Sequence, residues 1–135
     1  MVKLIIGVKG TGKTKTLISM VNEAAAKSAG AVVCIEKGVG LRFDVKPTVR
    51  LINTNEYLVF DAEALYGFVA GILASNHDVT DLFIDGALKI SNNDAVAFEA
   101  FVKGVDELTS KLDVNVVMTS SIPVEEASDT VKKYI

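Results

Sequence analysis

The stretch Val2-Lys3-Leu4-Ile5-Ile6-Gly7-Val8-Lys9-Gly10-Thr11-Gly12-Lys13-Thr14-Lys15 decides how this chain is read. Val2 to Ile6 is apolar apart from Lys3, as expected for a buried parallel strand. Gly7 to Thr14 then fits G-x-x-x-x-G-K-[ST] at every fixed position. Glycines let such a loop curl until its backbone N–H groups face inward as an anion nest. From Lys13 to Ala29 the pattern turns helical, with Leu17, Met20, Val21, Ala24 and Ala25 on one side and Gly30 as the stop. The positive end of that helix points at the same spot as the loop amides. Gly7, Lys9, Gly10, Thr11, Gly12, Lys13, Thr14 and Lys15 are therefore the candidate phosphate-binding residues. Lys13 can reach the β- and γ-phosphates of a nucleotide, and the Thr14 hydroxyl can ligate Mg²⁺.

Outward from that stretch, strand-like and helix-like segments alternate. Ala31 to Ile35 reads as a second buried strand ending at Glu36, and Glu36 to Pro47 as an irregular loop. Val49 to Ile52 reads as a short strand. Asp61 can cap a helix to about Ser75, with Leu65, Phe68, Val69 and Ile72 inward. Val79 to Ile84 is a third buried strand, closed by Asp85-Gly86. A helix capped within Ser91 to Asp94 runs to about Lys111, with Ala97, Phe101, Val105 and Leu108 inward. Val114 to Met118 is the last core strand, followed by Thr119-Ser120-Ser121 and a short final helix near Pro123. This alternation predicts an α/β fold, a three-layer α/β/α sandwich around a mainly parallel sheet with right-handed crossovers. Ligands in such sheets sit beyond the carboxyl ends of the strands. That rule selects Gly7 to Thr14, Glu36, Asp85 and Thr119-Ser120.

Composition narrows the function classes. With 135 residues, residues 1–135 are expected to form a single nucleotide-binding domain. Half the residues are hydrophobic, 23% are charged, and the formal net charge is −3. An acidic chain without aromatic-basic interleaving argues against a nucleic-acid partner. A lone cysteine, Cys34, precludes an internal disulfide, and with a lone histidine, His77, it precludes a structural zinc site. Cys34 lies in an apolar strand and reads as a small buried hydrophobe. No apolar run approaches a membrane span and no signal peptide is evident, so the expected location is cytoplasmic. Asp85 ends the run Leu82-Phe83-Ile84 at a strand's carboxyl edge, where a carboxylate can hold Mg²⁺ directly or through water.

These residues resemble those of P-loop NTPases, with Gly7 to Thr14 as the Walker A segment and Asp85 as the Walker B carboxylate. Gly10-Thr11-Gly12-Lys13-Thr14 is similar to the loops of the extra-strand division, which includes AAA-type and RecA-like members. The resemblance implies that Val114 to Met118 is the strand inserted between the Walker A and Walker B strands. It also implies that Thr119 or Ser120 takes the polar sensor position facing the γ-phosphate, and that ATP and Mg²⁺ are the cofactors. The chain also resembles small bacterial ATP-binding proteins, some labelled as twitching-motility proteins. The pilus ATPases behind that label carry histidine motifs that a chain with one histidine cannot supply.

The departures set the functional expectations. Members of the division usually place Glu after the Walker B Asp to activate water; here the position is Gly86. RecA-like recombinases carry a catalytic Glu near the end of the strand after the P-loop helix, and Val32-Val33-Cys34-Ile35-Glu36 is comparable, so Lys13 and Glu36 are the candidate catalytic residues. The expected activity is Mg²⁺-dependent ATP binding with slow or partner-stimulated hydrolysis. A non-catalytic nucleotide switch or scaffold is the alternative. A small-molecule or nucleotide kinase would need arginine-rich clamps, and Arg42 and Arg50 are the only arginines. Those two could serve a neighbouring subunit, so the expected partners are the nucleotide and a protein or second copy, with no membrane.

Overall fold

The computed structural model describes residues 1–135. Chain order is β1 (Val2–Ile6), α1 (Lys13–Lys27), β2 (Ala31–Glu36), β3 (Arg50–Asn53), α2 (Ala62–Ser75), β4 (Val79–Ile84), α3 (Ala87–Ile90), α4 (Ala95–Ser110), β5 (Asn115–Ser120) and α5 (Asp129–Lys132). The five strands form one sheet in the order β1-β5-β4-β2-β3, and every neighbouring pair is parallel. The last strand is thus inserted between β1 and β4, as the sequence led one to expect. With helices packed on both faces of this parallel sheet, the architecture is the expected α/β/α sandwich.

Alternation along each strand divides the core in two. Val33, Ile35, Leu82, Ile84, Val116 and Met118 face a large cluster completed by α2, α3, α4 and α5. Val32, Cys34, Phe83 and Val117 face the other way, against Leu17 and Val21 of α1 and the loop residues Leu41 and Val45. Most of β2, β4 and β5 is buried, which is why those strands lack a polar face. At the free edge of β1, the Leu4 N–H is taken up by the Tyr134 carbonyl at 2.7 Å.

Helix boundaries follow local chemistry. Asp61 accepts the Ala64 N–H at 2.8 Å, and Asp94 accepts the Ala97 N–H at 3.0 Å, both acting as N-caps. Three expectations are corrected. Helix α1 stops at Lys27, before Gly30, because Ser28 turns extended and its hydroxyl accepts the Gly30 N–H. The inward face of α4 is broader than expected: Phe98, Val102 and Thr109 are buried along with Phe101 and Val105, while Ala97 and Leu108 pack against the core partly buried. Strand β5 continues through Ser120, so Thr119 is a strand residue paired with Ile5, not the start of a loop.

Candidate functional site

The loop between β1 and α1 folds on itself. Thr11 Oγ1 donates to the Val8 carbonyl at 2.7 Å, and Lys13 Nζ donates to the same oxygen at 2.8 Å. Gly10 and Gly12 both have φ of +86°, a left-handed setting that turns the chain sharply into α1. No backbone N–H from Lys9 to Lys15 finds a backbone acceptor within the chain. Five of the seven residues that carry these donors, Lys9, Gly10, Gly12, Lys13 and Thr14, line a cleft at the positive end of α1, whose first turn holds no acidic residue.

Thr14, Asp85 and Thr119 come together across three elements. Thr14 Oγ1 donates to Asp85 at 3.1 Å to Oδ1 and 3.3 Å to Oδ2. Thr119 Oγ1 donates to Asp85 Oδ1 at 2.7 Å and accepts the Gly86 N–H at 2.8 Å. Strand parity explains the meeting. Met118 faces the large cluster and Val117 faces α1, so Thr119 returns to the α1 side, as does Asp85 beyond Phe83 and Ile84.

The cleft has a volume of about 480 Å³. One wall is the loop, with Lys9, Gly10, Gly12, Lys13 and Thr14; the other includes Asp85, Gly86, Lys89, Asn93, Thr119 and Ser121. Three of the candidate phosphate-binding residues do not line it. Gly7 lies beneath the loop, where a Cβ would come within 2.7 Å of Thr11 Oγ1. Thr11 is turned back to Val8, and Lys15 points outward from α1. Lys89, Asn93 and Ser121 were not singled out from the sequence. Lys89 sits on α3, a four-residue helix too short to show a period. Its one legible signal was a cation just past the carboxyl end of a buried strand.

Glu36 ends β2, beside Asp85. The rung Ile35–Ile84 pairs the two strands, and the Asp85 N–H donates to the Ile35 carbonyl at 2.8 Å. Yet the Glu36 side chain does not line the cleft. It is 5% exposed, and its Oε2 accepts the Leu41 N–H at 3.2 Å, tying down the loop after β2. Burial pushes its carboxyl up from the usual range, the Leu41 and Gly40 N–H groups pull it partly back, and nearby Asp85 adds to the rise. Glu36 lines a second cavity of about 240 Å³ together with Arg42 and Arg50. The sequence-predicted base and both arginines are thus gathered away from the cleft beside the glycine-rich loop.

The oxygen donors present fit magnesium. A hydroxyl and a carboxylate, Thr14 and Asp85, are hard ligands, and Mg²⁺ takes one or two carboxylates with phosphate and water completing its shell. No group of three or more His, Cys, Asp and Glu side chains is placed to form an all-protein metal site.

No family model and no curated protein matches this sequence. Among solved structures, a KaiC-like protein from the hyperthermophilic archaeon Pyrococcus horikoshii OT3 superposes with a TM-score of 0.70 at 13% identity. The match covers 98% of this chain but 66% of that one. At this identity the likeness establishes the fold: a parallel five-stranded α/β sheet of the RecA-like kind. No helix of the chain is long and apolar enough to cross a membrane.

Proposed function

We propose that the chain is a Mg²⁺-dependent ATP-binding protein with slow or partner-stimulated hydrolysis. One observation carries this reading: unpartnered loop amides, Lys13 and the Thr14–Asp85 pair all surround one cleft. The amides would hold the phosphate oxygens. Lys13 would exchange the Val8 carbonyl for the β- and γ-phosphates, replacing a neutral contact with a charge-assisted one. Thr14 and Asp85 would hold magnesium, which supplies neutralisation of the phosphate charge. Thr119 would fix the orientation of Asp85.

Catalytic power in such a site comes mainly from positioning and electrostatics. Residue 86 is glycine, so no carboxylate follows Asp85. Glu36 is the remaining candidate base, and to act it would have to release the Leu41 N–H and turn toward the cleft. That requirement supports weak turnover for the isolated chain, with stimulation by a partner or a second copy able to move the loop. Gly86 equally supports the second reading, a nucleotide-dependent switch with no turnover.

Calorimetry with ATP and GTP, with and without Mg²⁺, tests the site. Binding should be lost or weakened more than tenfold in Lys13→Ala; wild-type affinity in that variant would remove the site assignment. Phosphate release then separates the two readings. Turnover in the wild type that vanishes in Glu36→Gln supports a base; intact binding with no release under any condition supports the switch.

A further inference from the structure

The two walls of the phosphate cleft differ in what they offer. The loop wall grips whatever phosphate reaches it, so a diphosphate and a triphosphate both meet it. The second wall begins at Asp85 and Gly86 and carries Lys89. Lys89 is exposed, and its ammonium donates to no group in the chain. It has no carboxylate partner either: the sole salt bridge in the protein joins Lys27 to Glu23. Asp85, the one carboxylate lining the cleft, is already held by Thr14 and Thr119.

The backbone that carries Lys89 is fixed at both ends. Gly86 is tied to Thr119, and Ala87 and Ile90 are fully buried at 0% and 1% exposure. Gly86 has φ of +74°, a setting that L side chains rarely adopt, and a Cβ built there would lie 3.8 Å from Lys89 Cβ. A carboxylate at position 86 would emerge beside the lysine stem and could pair with it. Glycine leaves the ammonium without that competitor. Neither arginine helps in this chain, because both line the cavity next to Glu36.

On the nucleotide-binding reading above, we propose that Lys89 binds the terminal phosphate of a nucleoside triphosphate from within the same chain. The phosphate farthest along the loop comes to rest by Thr14 and Asp85. Lys89 meets it from the opposite wall as a third cation, beside Lys9 and Lys13 of the loop. Its stem is long enough to close over a γ-phosphate and finds nothing to hold when the nucleotide ends at the β-phosphate. Lys89 thereby makes the site prefer triphosphate to diphosphate.

The test is calorimetric titration of ATP and ADP, with Mg²⁺, into wild type, Lys89→Met, Lys89→Arg and Lys13→Ala. Lys89→Met should weaken ATP about tenfold and leave ADP within about twofold. Lys89→Arg, keeping the charge, should restore most of the ATP affinity. An ATP-to-ADP affinity ratio in Lys89→Met equal to that of wild type overturns the proposal and leaves Lys89 a solvated charge. A site in which Lys13→Ala changes neither nucleotide instead overturns the nucleotide-binding reading, and this proposal with it.

Discussion

Thr119 stands between Asp85 and the backbone that follows it: its hydroxyl donates to Asp85 Oδ1 at 2.7 Å while accepting the Gly86 N–H at 2.8 Å. One buried side chain, 3% exposed, thus sets the direction of the carboxylate and anchors the start of α3. Thr119→Val keeps the shape and removes both bonds. The Gly86 N–H would then lack its acceptor, at a cost of about 1–3 kcal/mol. Denaturant unfolding should show that loss, and the same variant should bind MgATP more weakly than wild type. Unchanged values in both measurements would show the contact to be incidental.

Asp85→Asn retains an acceptor for Thr14 and Thr119 but loses the negative charge. Nucleotide affinity without Mg²⁺ should hold or rise, since one anion has left the cleft. The gain in affinity on adding Mg²⁺ should shrink by about tenfold, or ~1.4 kcal/mol. Parallel titrations with Mg²⁺ and with a chelator measure the difference; an undiminished gain would place the metal on other ligands.

Cys34 should be inert while the protein is folded. Its side chain is 0% exposed, and burial, reinforced by the charges of Asp85 and Glu36, pushes the thiol up to about 12. The reactive species is the thiolate, so labelling at neutral pH should wait for unfolding. A chromogenic thiol reagent checks this with and without denaturant. Rapid modification of native protein would contradict the packing between β2 and α1.

Glu36 should make stability fall as pH rises. Its folded carboxyl is raised, chiefly by burial, so above the usual carboxylate range the folded chain holds a proton that the unfolded chain has released. The stabilisation of the neutral form is complete below the unfolded value and is lost as pH climbs through the folded one. Glu36→Gln cannot ionise. Its stability relative to wild type should therefore improve steadily from acid to neutral pH. Melting curves of the two proteins across that range decide it; a constant offset would mean that Glu36 ionises in the fold as freely as in the unfolded chain.

How much of this was legible beforehand depended on the range of the cause. The strands at Val2, Ala31 and Val79 and the helices after Gly12, Asp61 and Asp94 follow from apolar periodicity and caps, which act over neighbouring residues. The glycine-rich loop between β1 and α1 was legible because its glycines are close together in sequence. Thr119 was expected beyond its strand because polarity resembles a loop, whereas pairing with Ile5 keeps it in the sheet. Lys89 shows only a weak local signal, its place shortly after a buried strand, because α3 is too short to display a period.

By itself, then, the order of residues determined an α/β chain, a glycine-rich loop after the first strand and a carboxylate at the end of a later one. Tertiary structure alone decided which side chains share the cleft. It put Lys89 and Lys13 on one cleft, joined Thr119 to Asp85, and drew Glu36 aside to the Leu41 N–H. The physical reason is that strand order and face parity bring together residues far apart in the chain, and such long-range meetings leave no trace in local periodicity.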